Sequence, residues 1–202
     1  MHFHVRLVDG PEGAAKRRRF VDAHWQYFDD HRDHFVARGA TVADDGSVVL
    51  ASVIFVEFGS WDEVRRFVAN EPLNRNGTYE DVVISRWATG LARRQRDFPR
   101  RDGQVGWYIR GYGKPGVHER RQDLLQAHRD YFAPYDVAHF IARGPVLDDE
   151  GLTWRGSANL ICLPTRQDVD AFMADEPYCK NGLYERVLVE RYRFGGRPGQ
   201  IV

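Results

Sequence analysis

Two kinds of hydrophobic pattern alternate along the chain, and their order predicts its elements. Phe3-His4-Val5-Arg6-Leu7-Val8 alternates apolar and polar at period two, as a strand with one covered face does. From Glu12 to Arg38 the apolar residues Phe20, Val21, Trp25, Phe28 and Phe35 recur at helical spacings, and Gly39 reads as the stop of that helix. Asp44-Asp45-Gly46 is a turn signal between two extended segments. Val48 to Phe58 is apolar on both faces, which predicts a central strand covered on both sides. Ser60-Trp61-Asp62-Glu63 resembles a capping box and predicts a helix that ends before Pro72. Val82 to Trp87 closes the run as a strand.

The same succession then recurs. His24-x-x-Tyr27-Phe28 returns as His128-x-x-Tyr131-Phe132, and His34-Phe35-Val36-Ala37-Arg38-Gly39 as His139-Phe140-Ile141-Ala142-Arg143-Gly144. Glu71-Pro72 with Asn76-Gly77-x-Tyr79-Glu80 returns as Glu176-Pro177 with Asn181-Gly182-x-Tyr184-Glu185. One register with a single one-residue gap relates the copies, so the chain is a tandem duplication. The predicted boundaries are a first repeat at 1–88, a linker at 89–104, a second repeat at 105–194 and a tail at 195–202. The linker, with Arg93, Arg94, Arg96, Arg100, Arg101 and Pro99, reads as a solvated connection. Gly195-Gly196-Arg197-Pro198-Gly199 reads as a flexible tail, since it lacks the strand-to-helix setting of a phosphate loop.

Strand, helix, strand, strand, helix, strand is the order of the ferredoxin-like βαββαβ unit, an α+β fold with its helices on one sheet face. The other sheet face needs a cover. The two repeats are therefore predicted to pack sheet against sheet as an intramolecular pseudo-dimer of the dimeric α+β barrel type.

Charge and cysteine content narrow the partners. The 202 residues carry 29 basic and 29 acidic side chains, a formal net charge of zero. A nucleic-acid partner normally requires a basic excess, so none is expected. Apart from Lys16, Lys114 and Lys180 the basic side chains are arginines, which we read mainly as coding bias, although arginine suits bidentate anion contacts. Cys162 and Cys179 are too few for a disulfide framework or a four-cysteine metal site. No apolar run approaches the ~20 residues of a membrane helix, and the start Met1-His2-Phe3-His4 shows no signal peptide. A cytoplasmic protein without a membrane partner is expected.

Few positions carry chemistry. His24 lies between Phe20 and Phe28 on the helix stripe that should meet the sheet, and His128 lies likewise between Leu124 and Phe132. Arg17 and Arg121 sit two turns earlier on the same face, and Asp9 ends the first strand, where a carboxylate can orient an imidazole. Histidine suits proton transfer near neutral pH because its ordinary pKa is ~6.5. A histidine on an apolar stripe is also a common core residue, so spacing alone leaves both roles open. If Phe3, Val5 and Leu7 face the helices, His4 and Arg6 face the opposing sheet, with Tyr108 and Arg110 as their equivalents. Arg155, Ser157 and Asn159 are expected on that same inter-sheet face, where the first repeat has Leu50, Ser52 and Ile54. Such a face suits an aromatic or carboxylated ligand, or is ordinary rim polarity. His2 with His4 and His31 with His34 lack completing ligands, so no metal is expected. Trp25, Trp61 and Trp154 read as packing residues.

Taken together, Arg17, His24, Gly39, Asp44-x-Gly46, Ser52, Glu71-Pro72 and Gly77 resemble the YCII-related family. So do Arg121, His128, Gly144-Pro145, Asp149-x-Gly151, Gly156-Ser157, Glu176-Pro177 and Gly182. The resemblance covers roughly 3–88 and 106–193. It implies ferredoxin-like units that pair into dimers, a His–Asp dyad as active site and, in one member type, dehydrochlorination of a chlorinated hydroxyhydroquinone. Carried onto this chain, it implies a small-molecule site with His24 as acid or base, Asp9 as its partner and Arg17 as an anion-holding or orienting group. His128 would be the second catalytic position, with Asp149 within its possible reach, and Arg121, Ser52, Ser157, Arg6 and Arg110 are candidate substrate contacts. Two departures stand out. The family usually has Asp-Pro where this chain has Glu71-Pro72 and Glu176-Pro177, and Asp9 aligns with Gly113. The expectation is a cofactor-independent enzyme of elimination, isomerase or lyase type, a monomeric pseudo-dimer or a homodimer, with one competent site and one decayed or repurposed one. The alternatives are a non-catalytic ligand-binding or accessory protein and an oxygenase of the related barrel type.

Overall fold

A computed structural model describes residues 1–202. The first repeat folds as β1 (His2–Asp9), α1 (Gly13–Asp30), β2 (Phe35–Val42), β3 (Val49–Glu57), α2 (Trp61–Asn70), the one-turn α3 (Pro72–Arg75) and β4 (Tyr79–Trp87). The second follows as β5 (Val105–Gly113), α4 (His118–Asp123), α5 (Leu125–Phe132), β6 (Phe140–Leu147), β7 (Trp154–Leu163), α6 (Arg166–Asp175), the one-turn α7 (Pro177–Lys180) and β8 (Tyr184–Phe194). Ser60 caps α2 by accepting the Glu63 N–H, while Thr165 and Asp168 cap α6 reciprocally.

All strand pairs are antiparallel, and the strands close into one barrel in the order β1-β3-β2-β8-β5-β7-β6-β4. Each repeat contributes four strands, and the repeats meet at two seams. Gly39 to Val42 of β2 pair with Phe194 to Arg191 of β8, and Arg86 and Trp87 of β4 pair with Leu147 and Val146 of β6. Closure leaves no free sheet edge.

The first helix is shorter than its pattern predicts. It ends at Asp30, a 3-10 turn spans Arg32–His34, and Phe35 opens β2, so Gly39 lies inside a strand and is not a helix stop. The apolar residues Phe35, Val36 and Ala37 merely continue the helical spacing while changing element. Gly39 has a different use. A Cβ there would run into the Arg193 carbonyl and the Tyr192 ring across the seam, and one on Gly144 would meet the Ala88 carbonyl at the other seam. The repeated Arg-Gly thus lets strands of different repeats approach closely.

Strand parity sorts the interior. Phe3, Val5 and Leu7 pack under the helices with Phe28, Val64 and Phe67. The barrel lumen holds Phe55, Trp87, Tyr108, Leu160 and Tyr192, as expected of eight strands whose interior side chains just fill it. His4 lies there against Tyr108, its Nε2 2.9 Å from the tyrosine oxygen, and Arg6 donates to Glu190 at 2.8 Å. Arg110 donates to the backbone carbonyls of Gly111 and Ser157. For β3 and β7 the expected parity is reversed. His4 pairs with Phe55 and Arg6 with Val53, and cross-strand partners share a face, so Ser52 and Ile54 turn to the helices. Ser157 and Asn159, paired with Gly111 and Ile109, do the same in the second repeat.

The linker is not a solvated connection. Gln95 and Phe98 are buried, and Gln95 bonds the Arg38 and Val202 carbonyls and the Tyr192 hydroxyl. Arg94 donates to the carbonyls of Asp33 and Phe35, and Arg93 to those of Asp136, Val137 and Phe140. The tail likewise docks on the first repeat, with Arg197 paired to Asp29 and bonded to Gln26.

Candidate active site

The site forms where α1 crosses the first repeat's sheet. His24 and Phe28 are buried on the inner stripe of α1, their rings 4.2 Å apart. The partner of His24 is Glu71, whose Oε1 lies 2.6 Å from Nδ1. Glu71 is held by its own place in the chain: it caps α3, accepting the Leu73 N–H at 3.0 Å and the Asn74 N–H at 2.9 Å, with Pro72 at the first helical position. Both carboxylate oxygens are therefore acceptors, so Nδ1 is the donor to Glu71. In the neutral ring this leaves the Nε2 lone pair unused.

Asp9 does something else. It takes the Arg17 guanidinium in a two-pronged contact, both bonds 2.6 Å, and does not reach His24. Gly13 makes room for it, since a Cβ there would lie 2.7 Å from the Asp9 carboxylate. Arg17 continues to the Ser52 hydroxyl at 3.0 Å, which meets the Tyr79 hydroxyl at 3.0 Å. Burial is the largest single influence and works against the Arg17 charge, but the bond to Asp9 and the neighbouring Tyr79, Asp9 and Glu71 groups together outweigh it and the pKa rises. Burial first, then the Glu71 charge, raises the Tyr79 phenol well above its ordinary range, so its hydroxyl stays protonated. Asp9, Arg17, Ser52 and Tyr79 thus form one fixed polar wall. The reversed parity of β3 is what brings Ser52 into it.

His24, Arg17 and Ser52 line a common cavity of about 660 Å³, together with Trp25, which is a wall residue as well as a packing one. Its far side is built from parts that sequence reasoning set aside, Arg100 of the linker and residues 195–201 of the tail. His24 is the only histidine on its surface. Arg6 and Arg110 lie in the barrel lumen and do not line it. Asp149 is on the exposed β6–β7 loop, where its carbonyl accepts the Trp61 indole N–H at 3.3 Å. What sequence reasoning missed is the role of Glu71: an acidic residue before a proline-started turn in both repeats, each paired with a histidine on the helical segment after the repeat's first strand.

In the second repeat the same pair survives without the cavity. His128 Nδ1 lies 2.6 Å from Glu176, which caps α7 through the Tyr178 and Cys179 N–H groups, so Glu176 and not Asp149 is its partner. Tyr178, at the position of Leu73, stacks flat on the His128 ring at 4.1 Å. Trp154, at the position of Val49, packs against both Tyr178 and Tyr184. A Cβ on Gly113, where the first repeat has Asp9, would lie 2.6 Å from the Trp154 ring. With no acid to meet, Arg121 turns to Gln122 at 3.3 Å. Ser157 keeps its equivalent bond, accepting from Tyr184 at 3.1 Å. His128 lines none of the main cavities.

No group of three or more His, Cys, Asp or Glu side chains is arranged to hold a metal ion. His31 and His34 bond the Tyr27 and Glu57 carbonyls. No helix is long and apolar enough to cross a membrane.

Comparison with known proteins agrees with this architecture. The model of the YCII-related domain matches residues 1–88 and again 106–193. The chain belongs to the YCII-related family. It carries two copies of the family's domain in tandem. Among solved structures, 5-chloro-2-hydroxyhydroquinone dehydrochlorinase from Burkholderia phenoliruptrix, in complex with 2,5-dihydroxybenzoquinone, is 28% identical over 45% of this chain and 96% of its own, with a TM-score of 0.42. Chlorite dismutase from Candidatus Nitrospira defluvii is 10% identical over 95% of this chain and 91% of its own, with a TM-score of 0.59. An anthrone oxidase-like protein is 11% identical over 100% of this chain and 94% of its own, with a TM-score of 0.55. The last two share the fold with YCII tandem repeats, at identities that speak to fold alone. No curated protein matches the chain.

Proposed function

We propose that this YCII-related protein is a small-molecule enzyme that works by proton transfer at His24, in an elimination, isomerisation or lyase reaction. The observation that carries the reading is the state of one atom: His24 Nδ1 is committed to buried Glu71, while the ring lines the 660 Å³ cavity with Nε2 unpaired. A carboxylate that fixes the tautomer and steadies the imidazolium as it forms is the usual support of a histidine acid or base. In this reading Glu71 takes the part expected of Asp9, while Asp9 positions Arg17 and Ser52 beside the substrate. The reducing cytoplasm suits the two free thiols, Cys162 and Cys179.

Exchange of substrate C–H for deuterium in D2O, followed by NMR over a panel of hydroxylated and halogenated cyclic substrates, tests the proton transfer directly. His24→Gln is expected to lower the exchange rate at least ~100-fold, and His128→Gln to leave it within about threefold. Equal rates in wild type and His24→Gln sink the assignment. A second reading, a non-catalytic ligand-binding protein, is favoured by the His128–Glu176 pair, which shows the same geometry away from the main cavities. It predicts that both histidine variants lose stability alike and that no exchange is seen.

A further inference from the structure

We propose that the cavity takes a small organic anion, its carboxylate or enolate held by Arg18, Arg100 and Arg193; this rests on the reading of the cavity as the active site. Six arginines line the cavity and no aspartate or glutamate does. Each of the other four main cavities includes at least one carboxylate residue, among them Asp29, Glu57, Glu63 and Asp148. In a chain of zero net charge, that is a local departure.

Three of the six are paired to carboxylates within the protein. Arg17 is paired with Asp9, and Arg38 and Arg197 share Asp29. Arg18, Arg100 and Arg193 are within ion-pair distance of no carboxylate. Arg100 is also held in place: its guanidinium lies 3.9 Å from the centre of the Phe194 ring, a stacking that keeps the planar fork from wandering. Val21, Trp25 and Phe28 supply an apolar wall for a carbon skeleton. Cations that share a cavity with a proton-abstracting histidine also stabilise the negative charge that abstraction leaves on the substrate.

The anion pole draws on more than the two domain copies. Arg100 and residues 195–201 lie outside the two matched domain copies, and one chain has one linker and one tail. Both are used by the first repeat, so the second cannot form an equivalent.

Binding of 4-hydroxybenzoate and of its neutral isostere 4-hydroxybenzamide, measured by calorimetry and by fluorescence with Trp25 in the wall, tests the assignment. The carboxylate is expected to bind at least about tenfold more tightly at low salt, and the preference should shrink as salt rises. In Arg100→Gln/Arg193→Gln, both exposed positions whose replacement leaves the core intact, it should fall to about twofold or less. Equal binding of the two probes, no binding of the carboxylate at millimolar concentration, or an undiminished preference in the folded double variant overturns the proposal. His24→Gln separates it from the catalytic reading. Loss of exchange with an intact carboxylate preference supports both. Preference without His24-dependent exchange removes only the chemistry, and His24-dependent exchange without preference removes only the anion pole.

Discussion

The two repeats carry the same histidine–glutamate pair, 2.6 Å apart in each, yet only the first borders one of the main cavities. The difference lies in a few neighbours. Asp9 and Gly13 in the first repeat become Gly113 and Val117 in the second, so the large and small positions trade places along one turn. Val49 becomes Trp154 and Leu73 becomes Tyr178, and these two aromatic rings fill the volume that stays open over His24. The long α1 becomes α4 and α5, interrupted at Leu124. The pair itself is therefore a structural unit of the repeat, tying the helix to the turn beneath it. What distinguishes a site is the space around the pair, together with the linker and tail that wall it.

The largest effect should come from exchanging the space-filling residues. Val49→Trp in the first repeat is expected to close the cavity, abolishing both 4-hydroxybenzoate binding and exchange while the protein stays folded. Trp154→Val in the second removes a buried indole and should cost roughly 3 kcal/mol, seen as a drop in Tm of about 6–12 °C. Gly113→Asp alone is expected to destabilise, because its side chain meets the Trp154 ring. Combined with Trp154→Val it should cost less than the sum of the two, a coupling that a double-mutant cycle measures. Strict additivity would show that Trp154 is not what excludes an acid from the second repeat.

A smaller and more pointed contrast separates stability from function. Glu71→Gln and Glu176→Gln each disturb a buried carboxylate that accepts two N–H bonds and a histidine. Each should cost about 1–3 kcal/mol, read as a shift in the denaturant midpoint. Only Glu71→Gln is expected to lower the exchange rate as well, by about tenfold or more. Similar losses of stability with unequal losses of rate would confirm that one structural unit has been put to two uses. Equal rates in the two variants would break the comparison.

Much of this was legible in the sequence. The duplication, the order of elements and the inward and outward parity of β1 and β5 follow from local pattern, because period-two and helical spacings report which face is covered. The end of α1 was obscured because Phe35, Val36 and Ala37 extend the helical spacing into a strand. The parity of β3 was obscured because its residues are apolar on both faces, so only its register against β1 decides which face Ser52 takes. The Glu71 carboxylate reaches His24 across 47 residues of chain, and Asp9 was the more obvious partner because it ends a strand beside the helix. The cavity wall was least legible: nothing local in an arginine-rich linker or a glycine-rich tail says that both fold back over the first repeat.

The finest test of the pseudo-symmetry lies in the lumen, where the two equivalent positions are occupied by different groups, His4 and Tyr108. Burial, with Arg110 and Arg6 adding to it, lowers the His4 pKa well below its ordinary value. Burial raises the Tyr108 phenol, so both groups are neutral in the folded protein, joined by the bond between His4 Nε2 and the tyrosine hydroxyl. A depressed folded value means that the unfolded chain takes up the proton first as pH falls. The contribution is therefore fully present above about pH 6.5 and is lost below it, down to the folded value. The loss attributable to His4 should reach about 1.4 kcal/mol by pH 5.5. Denaturant midpoints at pH 7.5 and 5.5 for wild type and His4→Gln, whose amide oxygen can still accept from Tyr108, isolate that share. The variant is expected to be less acid-sensitive by this amount. Identical acid sensitivity would mean that the lumen admits the proton with His4 in place, and that the two halves of the barrel meet across a wetter interior than their packing indicates.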